Sequence, residues 1–125
     1  MKIIKLVTFF LLTQFIANSS LAHGMDNVGP NGGNITMPGA FHVELVVKNK
    51  KTLVYLLDIA FKNPIVENSS VEISVNDASF STCNVEKNYF VCPDYIYKKG
   101  DKIVVQSTRK GIKGTKATYQ FPLKF

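Results

Sequence analysis

The run FHVELVVKNKKTLVYLLD, residues 41–58, constrains the fold of this chain more than any other stretch. Across 41–48, Phe41, Val43, Leu45 and Val47 alternate with His42, Glu44, Val46 and Lys48. This period of two belongs to a β-strand with one core face. Residues 51–58 continue as a second strand, and Asn49-Lys50 between them has the length of a two-residue hairpin turn. Such a turn sets the register, with Val43 opposite Leu56, Leu45 opposite Val54 and Val47 opposite Thr52. On the other face His42 meets Leu57 and Glu44 meets Tyr55.

The rest of the chain reads as further short strands. Alternation resumes at 71–75 after the polar loop Glu67-Asn68-Ser69-Ser70 and returns around Tyr95-Ile96-Tyr97, at 102–107 and at 117–125. Turns rich in Gly, Pro and Asn separate these pieces at roughly 8–12-residue spacing, the pattern of an all-β antiparallel sandwich. An immunoglobulin-like β-sandwich fits the pattern best, with a small closed β-barrel as the alternative. The core Trp and the inter-sheet cysteine pair of antibody domains are missing, because the chain has no Trp and both cysteines flank one hairpin. No amphipathic helix, repeat or heptad follows the leader.

Lys2 and Lys5 precede an apolar stretch at 3–16, and Ser20-Leu21-Ala22 supplies small residues for cleavage after Ala22. Residues 1–22 therefore read as a secretory signal peptide, too short in its apolar part for the ~20 residues of a membrane span. Residues 23–34 read as an irregular arm and 35–125 as one domain, periplasmic or secreted. The net charge of +6 falls to +4 when Lys2 and Lys5 leave, a modest basic excess that specifies no partner. In an oxidising compartment Cys83 and Cys92 are expected to pair. A Lys87-Asn88 turn makes Glu86 and Tyr89 the closing pair and sets the two cysteines opposite each other, within disulfide reach. Ligation of a metal by the two thiolates is the competing reading.

The turn-rich segment GPNGGNITMPGAFHVEL, residues 29–45, leads from the arm into the first long strand. Cleavage after Ala22 would give His23 a free α-amine beside its imidazole, and both can lose protons near neutral pH. That nitrogen pair suits Cu(II), while the thioethers of Met25 and Met37 suit Cu(I). His42 is the second imidazole; Glu44, two residues along on the same strand face, and Asp26 offer carboxylate oxygens. The candidate metal ligands are thus His23, His42, Met25, Met37 and Glu44, with copper the expected ion.

The run GPNGGNITMPGAFHVELV, followed by VYLLD and FKNP, resembles small bacterial periplasmic proteins and the periplasmic part of adaptor (membrane-fusion) subunits of heavy-metal efflux systems. The likeness covers residues 29–64, with Gly29, Pro30, Gly32, Gly33, His42 and Glu44 as the matching positions. Asn31 stands where a His is frequent in those relatives. The resemblance implies a metal-handling or efflux-accessory role, with an envelope or efflux-system protein as a possible partner.

No catalytic pattern accompanies these features. There is no G-x-S-x-G elbow, neither His has an obvious orienting partner, and the Gly29–Gly33 turn precedes a strand rather than a helix as a phosphate loop would. Export argues against nucleic acid. Arg109, Lys110, Lys113 and Lys116, with Lys98, Lys99 and Lys102 nearby in sequence, form the main basic cluster. It reads as a solvated loop that guards sheet edges, with lipid phosphate, a glycan or an acidic protein as the sharper alternatives. The expectation is a non-catalytic binding protein for a metal ion, or else a metal-free immunoglobulin-like module that docks another envelope component.

Overall fold

The computed structural model of the protein describes residues 28–123. The expected signal peptide, His23, Met25 and Asp26 lie outside the described residues. Ten strands follow in chain order: β1 (Asn34–Thr36), β2 (His42–Lys48), β3 (Lys51–Leu57), β4 (Ser70–Val75), β5 (Ser81–Thr82), β6 (Asn84–Glu86), β7 (Tyr89–Cys92), β8 (Lys102–Arg109), β9 (Ile112–Lys113) and β10 (Ala117–Gln120). They form two antiparallel sheets, one in the order β1-β2-β3-β7-β6 and the other β10-β8-β4-β5, with β9 folded onto β8. The sheets are separate, so the molecule is a β-sandwich and not a closed barrel.

The order of the longer strands is that of an immunoglobulin-like fold. With β2, β3, β7 and β6 as A, B, E and D, and β10, β8, β4 and β5 as G, F, C and C′, the sheets read ABED against GFC with C′ added. β1 is an extra strand on the A edge, formed just after the glycine turn.

The β2–β3 hairpin has the register that alternation requires, from His42↔Leu57 through Val43↔Leu56 to Lys48↔Lys51. Asn49 takes the left-handed backbone its turn needs, at φ 57°. Val43, Leu45, Val54 and Leu56 enter the core with Phe41, Val71, Ile73, Phe90, Ile103 and Val105. The β6–β7 hairpin likewise closes on Glu86↔Tyr89 across Lys87-Asn88.

Cys83 and Cys92 form a disulfide with Cα atoms 4.1 Å apart. Cys83 is not itself in a strand. It is the single residue between β5, in one sheet, and β6, in the other, and its N–H donates to Val71 O. The bridge therefore fastens the sheet-to-sheet crossover to β7, a role the hairpin spacing did not reveal.

The topology sends the loops to two ends. The β3–β4 connection and the β8–β9–β10 turns share one end, joined by Arg109 Nη2 donating to Asn63 O and Gly111 N to Asn68 O. At the other end the β2–β3 turn meets the β7–β8 loop, where Tyr95 N donates to Lys50 O. β8 runs the length between them, so the basic cluster drawn from sequence is divided: Lys98 and Lys99 lie at one end, Lys110 and Lys113 at the other.

Candidate functional site

β2 is unusual in being buried on both faces over His42–Val46. Its outward-facing residues in the alternation are His42, Glu44 and Val46, and two loops cover them.

The first cover is the glycine turn. Gly29 N donates to Gly33 O and Gly32 N to Gly29 O, which folds 29–33 into a compact loop before β1, with Val28 bridged to Asn34. Gly32 sits at φ 80°, a conformation glycine adopts without strain. The loop lies on Glu44. Asn31 N and Gly33 N both donate to Oε2 at 2.8 Å, and Asn31 Nδ2 donates to Oε1 at 2.9 Å. Glu44 is 0% exposed, so these donors replace the water its carboxylate would otherwise require. A methyl group on Gly29 would fall 2.6 Å from Oε2, and one on Gly33 2.7 Å from Val46 Cγ2. These glycines are therefore set by close approach to the strand as well as by the turn.

The second cover is the loop after β3. Asp58 Oδ1 accepts from Ala60 N and Lys62 N at 2.9 Å, and Oδ2 accepts from Asn63 Nδ2 at 2.7 Å. The Lys62 N–H is the chief cause of a lowered Asp58 carboxyl pKa, followed by the Asn63 amide. Within this loop Phe61 stands at φ 62°, rare for a bulky residue, and its ring stacks on His42 with centroids 4.1 Å apart. His42 Nδ1 lies 3.0 Å from Asp58 O. A carbonyl only accepts, so Nδ1 carries the proton, and in the neutral ring the lone pair is on Nε2.

The candidate ligands are thus distributed unequally. His42 is 8% exposed, with Nδ1 committed to the Asp58 carbonyl. Glu44 holds the turn, with both oxygens engaged. Met37 is exposed in the connection between β1 and β2. Among the described residues no three His, Cys, Asp or Glu side chains converge on one point, and neither cysteine is free. Asn31, Asp58 and Phe61 surround His42 and Glu44 but were not singled out from the sequence. Asn31 entered that reading as part of the glycine turn and as the position of a missing imidazole, and its partner is thirteen residues away.

The arrangement holds an imidazole in one orientation between an aromatic ring and a fixed carbonyl. Among the described residues the hydrogen-bond partner of His42 is the Asp58 carbonyl, and both cysteines are in the disulfide. Compared with protein-family models, with curated proteins and with solved structures, the chain finds no significant match in any of the three.

Proposed function

We propose that this protein is an exported, non-catalytic binding domain that holds a copper-like ion with His42 from the sandwich and His23 from the arm. The observation that carries the reading is the hydrogen bond from His42 Nδ1–H to Asp58 O. Ligating histidines are commonly oriented this way, with one ring nitrogen on a carbonyl and the other presented to the metal. Met37 and Met25 supply thioethers for the reduced ion. Glu44 acts as the scaffold that fixes the turn and β1 beside His42.

A second reading is a metal-free interaction module in the envelope. It is favoured by the engagement of both Glu44 oxygens, which leaves His42 without a carboxylate co-ligand on its strand.

Titration of processed protein, its N-terminus established by mass spectrometry, separates the two. The metal reading expects one equivalent of Cu(II), bound at least tenfold more weakly when a Gly precedes His23 or when His42→Ala is introduced. Circular dichroism checks that the variant is folded. Binding no tighter than that of a peptide spanning residues 23–28, or binding indifferent to His42→Ala in a folded variant, overturns it and leaves the interaction module.

A further inference from the structure

The end of the sandwich formed by the β2–β3 turn and the β7–β8 loop gathers residues that lie far apart in sequence. Lys50 comes from the turn, Lys48 and Lys51 from the strand ends that flank it, and Lys98 and Lys99 from the loop, and all five are exposed. The only ion pair among the described residues is Lys102 with Asp77, so none of the five has an acidic partner there. Of the acids at this end, Asp77 is taken by Lys102. Asp101 is buried and accepts from Lys98 N and Asn76 Nδ2, which leaves Asp94 exposed.

Lys48 and Lys51 face each other directly as the closing pair of the hairpin. Like charges opposite one another destabilise a strand pair. Here Lys50 adds a third charge between them. An anionic surface would relieve this repulsion, and among the described residues no acidic side chain pairs with these lysines.

Amid these lysines stands an apolar side chain. Ile96 is 75% exposed, the highest value among the large hydrophobic residues described. It is not on a loose loop. Tyr97 stacks on Phe121 and its hydroxyl lies 2.6 Å from Thr52 Oγ1; Tyr95 packs on Tyr97 and its N–H is held by Lys50 O. Lys98 N, Gly100 N and Asp101 N also have acceptors, so much of this backbone is satisfied internally. A cleft of about 220 Å³ between Ile73, Val75, Pro93, Tyr95 and Tyr97 adds apolar surface nearby.

We propose that this end docks on an anionic phospholipid bilayer, with Lys48, Lys50, Lys51, Lys98 and Lys99 on the headgroup phosphates and Ile96 inserted at the boundary. Peripheral attachment of this kind combines a buried apolar side chain with attraction to anionic lipid, and Tyr95 has the amphipathic ring favoured at that level. A bilayer fits better than a protein partner. A single exposed Ile on a loop that also carries Lys98 and Lys99 and is bonded to Lys50 requires no matching pocket, and the lysine stems can follow a fluid surface. The proposal does not depend on the metal site, which lies on the outer face of β2.

Co-sedimentation of the purified protein with phosphatidylglycerol–phosphatidylethanolamine vesicles, against phosphatidylcholine vesicles, tests it. Binding to the anionic vesicles is expected to weaken roughly tenfold or more in Lys50→Gln/Lys99→Gln. In Lys110→Gln/Lys113→Gln, at the opposite end, it should change less than about twofold, since those charges sit beyond the ~10 Å screening length. Because the chain has no Trp, Ile96→Trp gives a clean reporter, with an emission blue shift expected on anionic vesicles only. Equal losses in the two double variants would reduce the effect to net charge and overturn the proposal. So would an unshifted Trp emission, or binding to immobilised polyglutamate without binding to vesicles, which would assign the surface to an acidic protein.

Discussion

Asn31 and Glu44, thirteen positions apart, are joined by two hydrogen bonds, one from the Asn31 backbone amide and one from its side chain, to the two oxygens of one buried carboxylate. With Gly33 N as the third donor, Glu44 fastens the glycine turn to the outer face of β2. Glu44→Gln keeps the shape but removes the charge, and with its carbonyl oxygen left on the two backbone N–H groups its amide nitrogen faces the Asn31 side-chain NH2. It should cost about 2–3 kcal/mol, the scale for unsatisfied buried groups and charged hydrogen bonds. Urea unfolding measures this, and a change below about 0.5 kcal/mol would mean the turn is held in some other way.

The disulfide ties the crossover between sheets to β7. Its loop is short, so chain entropy alone gives roughly 2–3 kcal/mol. The Cys83→Ala/Cys92→Ala protein should be less stable by that amount, equal to the effect of reductant on the native protein. Agreement between the two denaturation midpoints checks that the bridge, rather than packing of the sulfurs, supplies the stability.

Phe61 combines an unfavourable backbone with a favourable ring contact, at φ 62° and stacked on His42. Truncation separates the two. Phe61→Ala loses the ring and keeps the left-handed backbone, while Phe61→Gly loses the ring and relieves the backbone. The Gly variant should therefore be the more stable by about 1 kcal/mol, reversing the usual order of Ala over Gly. Thermal unfolding of both variants decides it.

Acid should weaken the fold through Asp58 and Asp101. Both carboxyls have lowered pKa values, chiefly through the Lys62 N–H for Asp58 and the Lys98 N–H for Asp101. A depressed folded pKa contributes stability that is present above the unfolded value of about 4 and is lost as pH falls through the folded value. Unfolding midpoints should therefore hold near neutral pH and decline below about pH 4, with a shallower decline in Asp101→Asn.

Alkali acts in the opposite sense through Tyr119. Burial pushes its phenol well up, and its hydroxyl donates to Val43 O with Thr36 Oγ1 2.8 Å away. A raised folded pKa gives stability that is complete below the unfolded value of about 10 and is lost as pH rises through the folded one. Tyr119→Phe should be less stable near pH 7 by about 1 kcal/mol and lose less on going to alkaline pH.

The hairpins were legible because their information is local. The alternation of residues 41–58 and the two-residue turns at Asn49 and Lys87 fix the pairing without reference to the rest of the chain. β1 was not legible. Asn34-Ile35-Thr36 is too short to show a period and exists because the glycine turn before it is docked on Glu44. The candidate site was half legible. Alternation put His42 and Glu44 on one strand face, but it says nothing of what covers that face. The Asp58 loop and Phe61 come from a connection whose path depends on hydrogen bonds among its own backbone groups.

By itself the sequence determined the all-β class, the two principal hairpins with their registers, and the placement of Cys83 within disulfide reach of Cys92. Each follows from side-chain periodicity or from short loops, which act over a few residues. The tertiary structure alone decided that Glu44 is closed over by a turn, that the disulfide guards a crossover, and that the lysines around the β2–β3 turn share one end with those of the β7–β8 loop. Those outcomes depend on which strands become neighbours when two apolar faces bury each other, and that choice is made between segments tens of residues apart.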